Sequence, residues 1–156
     1  MSEEAYIVRG MHFEEFEVGF SARSPGRTVT ETDIVQFAGL TGDYNPLHTD
    51  EEFAQASHFE GRVAHGLLGL TFSLGLLSRL GFLDGTVLAF MSLEWKFSLP
   101  VYIGDTIHAT VGVAKTRAMK RLGGGVVDFE VNVVNQAGKT VQKGKWRALL
   151  KGQEAS

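Results

Sequence analysis

The stretch HGLLGLTFSLGLLSRL, His65 to Leu80, decides how this chain folds. Its apolar side chains fall on every side of a helix instead of forming one stripe, which is the pattern of a helix surrounded by protein. A membrane span would need about 20 mostly apolar residues with aromatic and charged flanks. Here the apolar run from Gly66 to Leu83 is broken by Gly69, Ser73, Gly75, Ser78, Arg79 and Gly81, so no span is expected and a buried core helix is. C-terminal to it the chain reads as strand, from Val87 to Leu99, Thr106 to Lys115, Val126 to Val134 and Thr140 to Lys151, each rich in Val, Ile, Phe, Trp or Thr. Successive strands with short connections pair antiparallel. The expected fold class is therefore α+β, an antiparallel sheet wrapped around one long buried central helix. A single domain over residues 1–156, with its core at about 13–151, is expected from the length.

Upstream of the helix, residues 1–11 show no periodicity and read as a loose lead-in, followed by a short strand from about Ser21 to Val29. Thr30-Glu31-Thr32-Asp33 offers an N-cap and acids suited to a first helical turn. Ile34, Phe37 and Ala38 continue at helical spacing to Leu40, and Gly42 is a natural stop. Next comes Gly42-Asp43-Tyr44-Asn45-Pro46-Leu47-His48, which sets an acid and an imidazole five residues apart. Proline lacks an N–H and pushes its predecessor towards extended backbone, so the segment reads as a turn that exposes side chains. Taken alone, Asp43 and Asn45 are ordinary turn residues. A short helix from Asp50 and a polar loop from Ser57 to Arg62 lead back to His65.

The 156 residues are 44 % apolar and 21 % charged, ordinary for a chain that buries a real core. A formal net charge of −3 argues against nucleic acid, whose phosphates are bound through positive surfaces. With no cysteine there is no disulfide, thiolate ligand or cysteine nucleophile. The acidic start Met1-Ser2-Glu3-Glu4 does not resemble a signal peptide, and a cytoplasmic location is expected. His48, Asp50, His58 and His65 match no zinc spacing, so no metal is expected.

Phe37, Leu40, Thr41, Gly42, Asp43, Asn45, Pro46, Leu47, His48, Asp50 and Ala54 together resemble the hydratase motif of MaoC-like, (R)-specific enoyl-CoA hydratases. A second signature, Ala64-His65-Gly66, opens the apolar helix, and a third runs through Lys96-Phe97, Pro100-Val101 and Gly104-Asp105-Thr106. The resemblance covers Thr30 to about Leu150. It implies a hot-dog fold, an acyl-CoA thioester substrate with coenzyme A as part of that substrate and no other cofactor, and a homodimer. It further implies that Asp43 and His48 activate a water for reversible addition to a trans-2-enoyl-CoA, giving an (R)-3-hydroxyacyl-CoA. The backbone N–H of Gly66 would donate to the thioester oxygen, as the unpaired N–H groups of a helix start can. Asn45, His65 and Lys96 are carried as substrate-binding candidates, Asn45 chiefly as a residue that fixes the loop. One departure stands out: relatives carry a serine about eight residues after the glycine, where this chain has Leu74, with Ser73 beside it.

The basic group Lys115, Arg117, Lys120 and Arg121 reads either as a solvated hairpin or as a phosphate contact. Two alternative functions share the expected fold, an acyl-CoA thioesterase and a non-catalytic acyl-thioester-binding subunit. The first would call for an acid or glutamine on the central helix or adjoining strand, and Leu67 to Leu83 contains none. The second would not need both Asp43 and His48.

Overall fold

The computed structural model describes residues 10–154; most of the lead-in expected at the N-terminus lies outside them. The core is framed by two groups of strands separated by helices. Strands β1 (Ser21–Arg23) and β2 (Arg27–Thr28) come first, then helices α1 (Glu31–Thr41), α2 (Pro46–Thr49), α3 (Glu51–Gln55) and α4 (Gly66–Ser78). Strands β3 (Val87–Phe97), β4 (Thr106–Met119), β5 (Gly124–Val134) and β6 (Thr140–Lys151) complete the chain. The sheet runs β1-β4-β5-β6-β3, antiparallel throughout, with β2 also on β4. This is the antiparallel sheet around a central helix that the sequence leads one to expect. No helix among the described residues is long and apolar enough to cross a membrane.

Alternation sorts β5 and β6 beyond their first residues. Val127, Phe129, Val131 and Val133 of β5 and Trp146, Ala148 and Leu150 of β6 are buried, while Lys143, Lys145 and Arg147 face out, as the two-residue period of a strand requires. Leu68, Gly69, Ser73, Leu76 and Leu77 turn one side of α4 to this core. The opposite side is open in the single chain: Leu67 and Leu74 are 57 % and 43 % exposed, so the helix is not covered on every side. Ser73 is fully buried, and its Oγ donates to the Leu70 carbonyl at 2.7 Å. It cannot stand in for a serine at position 74.

Several boundaries differ from the sequence expectation. The first strand is split, because Pro25 has no N–H for a ladder and Ser24 pairs with Ala109 through both its backbone and its hydroxyl. Pro46 does not only interrupt a helix but starts one: it occupies the first position of α2, where a missing N–H costs nothing. Strands β4 and β5 extend to Met119 and from Gly124, which shortens the basic connection to the turn Lys120–Leu122.

Candidate active site

Local sequence explains how the acid arrives. The Thr30 hydroxyl accepts from the Asp33 N–H at 3.2 Å, while Asp33 Oδ2 accepts from the Thr30 N–H and hydroxyl at 2.9 Å each, forming a capping box at the start of α1. Burial pushes the Asp33 carboxyl up, but the Thr30 bonds and the Arg27 guanidinium outweigh it and hold the group below the usual range. At the other end Gly42 adopts φ 80°, and its N–H bonds the Ala38 carbonyl. That left-handed stop suits glycine and turns the chain so that Asp43 begins a loop. Asn45 caps α2 by accepting from the Leu47 N–H at 3.1 Å, and its own N–H bonds Asp43 Oδ1 at 3.2 Å. Behind the loop, Arg62 joins Glu31 of α1 at 2.7 Å and Glu51 of α3 at 2.6 Å. The Arg62 bond is the largest cause of the lowered Glu51 carboxyl.

The imidazoles are oriented by carbonyls. His48 Nδ1 lies 2.7 Å from the Val63 carbonyl oxygen. A carbonyl only accepts, so Nδ1 carries the hydrogen and a neutral His48 leaves the Nε2 lone pair free. His65 Nε2 donates in the same way to the Asp43 carbonyl at 2.9 Å, and stands 4.0 Å from Asp43 Oδ2. The two rings stack with centroids 3.8 Å apart. His65 is 3 % exposed, its Nδ1 has no hydrogen-bond partner among the described residues, and Phe37 packs against it with ring centroids 4.9 Å apart. One donor atom each from Asp43, His48 and His65 lies within 4.8 Å of the others. These three residues are brought together, whereas Asp50 caps α3 through the Phe53 N–H and His58 packs on Phe59.

His48 and Gly66 open onto a common cavity of about 330 Å³, otherwise lined largely by apolar groups including Leu47, Phe59, Val63, Phe97, Leu99 and Val101. Gly66 is the first residue of α4, so its N–H precedes the helical hydrogen bonds. A Cβ at Gly66 would lie 2.8 Å from Phe97 Cε1, which is why glycine suits this close approach. The sequence reading missed Gln142, a buried glutamine that lines the same cavity. The available signal was its phase on β6, since it falls in the inward series with Trp146, Ala148 and Leu150.

Lys96 is set apart from this group. Trp95 and Phe97 point inward, so Lys96 between them faces the outer side of the sheet, where it lines a larger cavity of about 650 Å³ with Glu94, Glu130, Lys143 and Lys145. That cavity contains none of the acid–imidazole cluster, whereas His48 lines the smaller one. In the basic group, Lys115 and Arg117 border Asp128 and Arg147. The Arg147 hydrogen bond is the largest cause of the lowered Asp128 carboxyl, with Lys115 adding to it, which favours a structural role.

Comparison with known proteins agrees with this architecture. The family model described as MaoC like domain matches residues 16–136. The chain is 38 % identical over 139 residues to an (R)-specific enoyl-CoA hydratase of Rhodospirillum rubrum, covering 89 % of this chain and 91 % of that protein. Among solved structures it resembles a monoamine oxidase regulatory protein from Archaeoglobus fulgius, with TM-score 0.87 and 37 % identity over 92 % of this chain and 96 % of that one. It also resembles the (R)-hydratase from A. caviae involved in PHA biosynthesis, with TM-score 0.74 and 28 % identity over 90 % and 99 %. The split between a loop that supplies acid and imidazole and a helix that starts at glycine is thus found in a chain that belongs to the MaoC-like dehydratase family.

Proposed function

We propose that the protein hydrates trans-2-enoyl-CoA thioesters reversibly to (R)-3-hydroxyacyl-CoA. The observation that carries this reading is the Asp43–His48–His65 cluster beside an apolar cavity that also holds the Gly66 helix start. Water lies between the Asp43 carboxylate and His48 Nε2, and one of them takes its proton as the oxygen attacks C3. The C2–C3 π pair moves towards the thioester oxygen, where the Gly66 N–H stabilises the growing charge. The proton taken from water is returned at C2, so the net change is addition of H₂O with no further reagent. His65 acts by holding the Asp43 carbonyl, and its burial suits that task better than contact with substrate.

Hydrolysis of the thioester would instead call for a side chain free to activate water at the helix. The buried glutamine at the cavity, Gln142, has its amide oxygen on Trp95 Nε1 and its amide nitrogen on the Gly66 carbonyl, both at 3.0 Å, so each end is already held by a structural bond, and an uncharged amide is no base for water. The deciding experiment incubates purified protein with a panel of trans-2-enoyl-CoA esters, following loss of enoyl absorbance and release of thiol separately and determining the product's configuration. Hydration to (R) product without thiol is expected. Thiol release without hydration, mainly (S) product, or binding with neither change would overturn the proposal.

We propose further that the working unit is a homodimer joined along β3. Among the described residues this strand is at the end of the sheet and pairs only with β6, yet Val87, Leu88, Phe90, Met91, Leu93 and Phe97 are all exposed. A long apolar edge left open invites aggregation. A second copy would cover it through a self-complementary contact, and would also shield the open side of α4.

A further inference from the structure

We infer that Gln142 is a positioning residue for the Gly66 N–H; the inference rests on the hydratase reading above. Gln142 is 2 % exposed, the polar member of an inward series on β6 that otherwise packs the core. Its amide nitrogen donates to the Gly66 carbonyl at 3.0 Å and its amide oxygen accepts from the Trp95 indole N–H at 3.0 Å. One side chain therefore ties the first residue of α4 to strands β3 and β6. The helix is cut away to admit it: a Cβ at Gly69 would lie 2.4 Å from Gln142 Nε2 and 2.8 Å from its Cδ and Oε1. A core-filling residue needs no such room. An amide seated against the helix start does.

The geometric consequence follows from what each end holds. The indole of Trp95 orients the amide so that its nitrogen, not its oxygen, meets the Gly66 carbonyl. With that carbonyl anchored, the first turn of α4 has a fixed height over the sheet, and the Gly66 N–H a fixed distance from the imidazole of His48 across the cavity. An oxyanion donor works only when it is aimed at the place where charge develops, and small misplacements of reacting groups cost about a hundredfold. Gln142 touches neither the water nor the reacting atoms in this scheme, and although it borders the cavity, its chief effect is on turnover, with a smaller one on binding of the acyl chain.

The test compares Gln142→Leu, Gln142→Glu and Trp95→Phe in the full chain, by steady-state hydration of a trans-2-enoyl-CoA and by amide hydrogen exchange. Gln142→Leu removes both hydrogen bonds, whereas Gln142→Glu keeps the acceptor for Trp95 and, at a pH where the carboxylate is ionised, loses the donor to Gly66. Both should lower kcat by about tenfold to a hundredfold with KM within about threefold of wild type. Trp95→Phe should lower kcat by less than about threefold. Exchange at residues 66–70 should quicken in both Gln142 variants while β5 stays protected. Folded Gln142 variants with kcat within about twofold of wild type, a loss confined to KM, or unchanged exchange at residues 66–70 would each overturn the inference. If Gln142→Leu does not fold, Gly69→Ala asks the same question, because its methyl displaces the amide while raising helix propensity. An inactive wild-type protein would refute the hydratase reading itself, and the exchange data would still decide whether Gln142 holds the helix start.

Discussion

Gly66 is assigned a role through its backbone, so the informative perturbation compares proline, which deletes the N–H, with alanine, which keeps it. Both add a Cβ, and that atom would lie 2.8 Å from Phe97 Cε1 and 2.9 Å from Cδ1. Ordinary carbon contacts start at about 3.5 Å, so the ring must withdraw by roughly 0.7 Å. Phe97 stands half exposed on an edge strand and can do so, which keeps the overpacking cost near the low end of about 1–3 kcal/mol. Because Phe97 lines the cavity, its displacement is felt by the substrate. A loss of about 1 kcal/mol in binding corresponds to about fivefold in KM. Proline adds loss of the donor, about 10²- to 10³-fold in kcat or about 2.7–4 kcal/mol. The backbone accepts it: His65 has φ −54° and ψ 135°, in the extended region a residue before proline favours, and Gly66 is not among the glycines with positive φ. Dividing the proline kinetics by the alanine kinetics cancels the shared Cβ and leaves the loss of the N–H together with the ring's Cγ and Cδ. The assay is steady-state hydration beside thermal unfolding. A folded Gly66→Pro protein with kcat within about threefold of Gly66→Ala would remove this amide from the mechanism.

Asp43→Asn and His48→Ala should each leave the fold intact and lower kcat by about 10²-fold or more, and the double variant should lose far less than the product of the two because both act on one water; near-wild-type turnover in either would reduce the segment to a turn. Sedimentation at micromolar concentration should give twice the chain mass, and Met91→Lys with Leu93→Lys should give monomer; a wild-type monomer with full activity would exclude the dimer. Asp33 has a lowered carboxyl in the fold, so its stabilisation is present above the unfolded value of about 3.9 and is lost as pH falls through the lower folded value. Thermal unfolding from about pH 5 to pH 2 should therefore decline more gently in Asp33→Asn than in wild type, and equal slopes would show that the capping box contributes no such linkage.

The elements that local chemistry dictates were legible in the sequence. Thr30 and Gly42 bound α1 because a cap and a left-handed stop have strong residue preferences, and β5 and β6 alternate because one of their faces is buried. Strand β3 was legible as a strand but not in its phase. Val87 to Met91 is apolar at every position, and the register shifts at Val87/Ala89 and Phe90/Ser92 reset which side chains face inward, so Lys96 could not be assigned to a face. Gln142 was hidden for the opposite reason. Its meaning depends on Gly66 and Trp95, 76 and 47 residues away, and no local period announces those partners. The short helix from Pro46 was missed because proline is both a helix breaker and a favoured first residue, and only the Asn45 cap distinguishes the two.

The site's tolerance for such distant parts traces to one short segment. Val63 holds His48 through its carbonyl, Ala64 fastens the backbone to Val101 at 2.7 Å, His65 holds the Asp43 carbonyl, and Gly66 begins the helix. The proposed acid, base and oxyanion donor are thus all referenced to four consecutive residues. Val63 and Ala64 precede α4 and are pinned to Tyr102 and Val101, so a shift of α4 as a rigid body would move the Gly66 N–H while Val63, and with it His48, stays with that pairing. Such a shift would also change the relation of the helix start to the sheet, where Phe97 of β3 and Gln142 of β6 line the cavity. That relation is the one Gln142 spans, so loss of aim between donor and substrate should come from the sheet side of the site, and loss of acid–base function from the loop side.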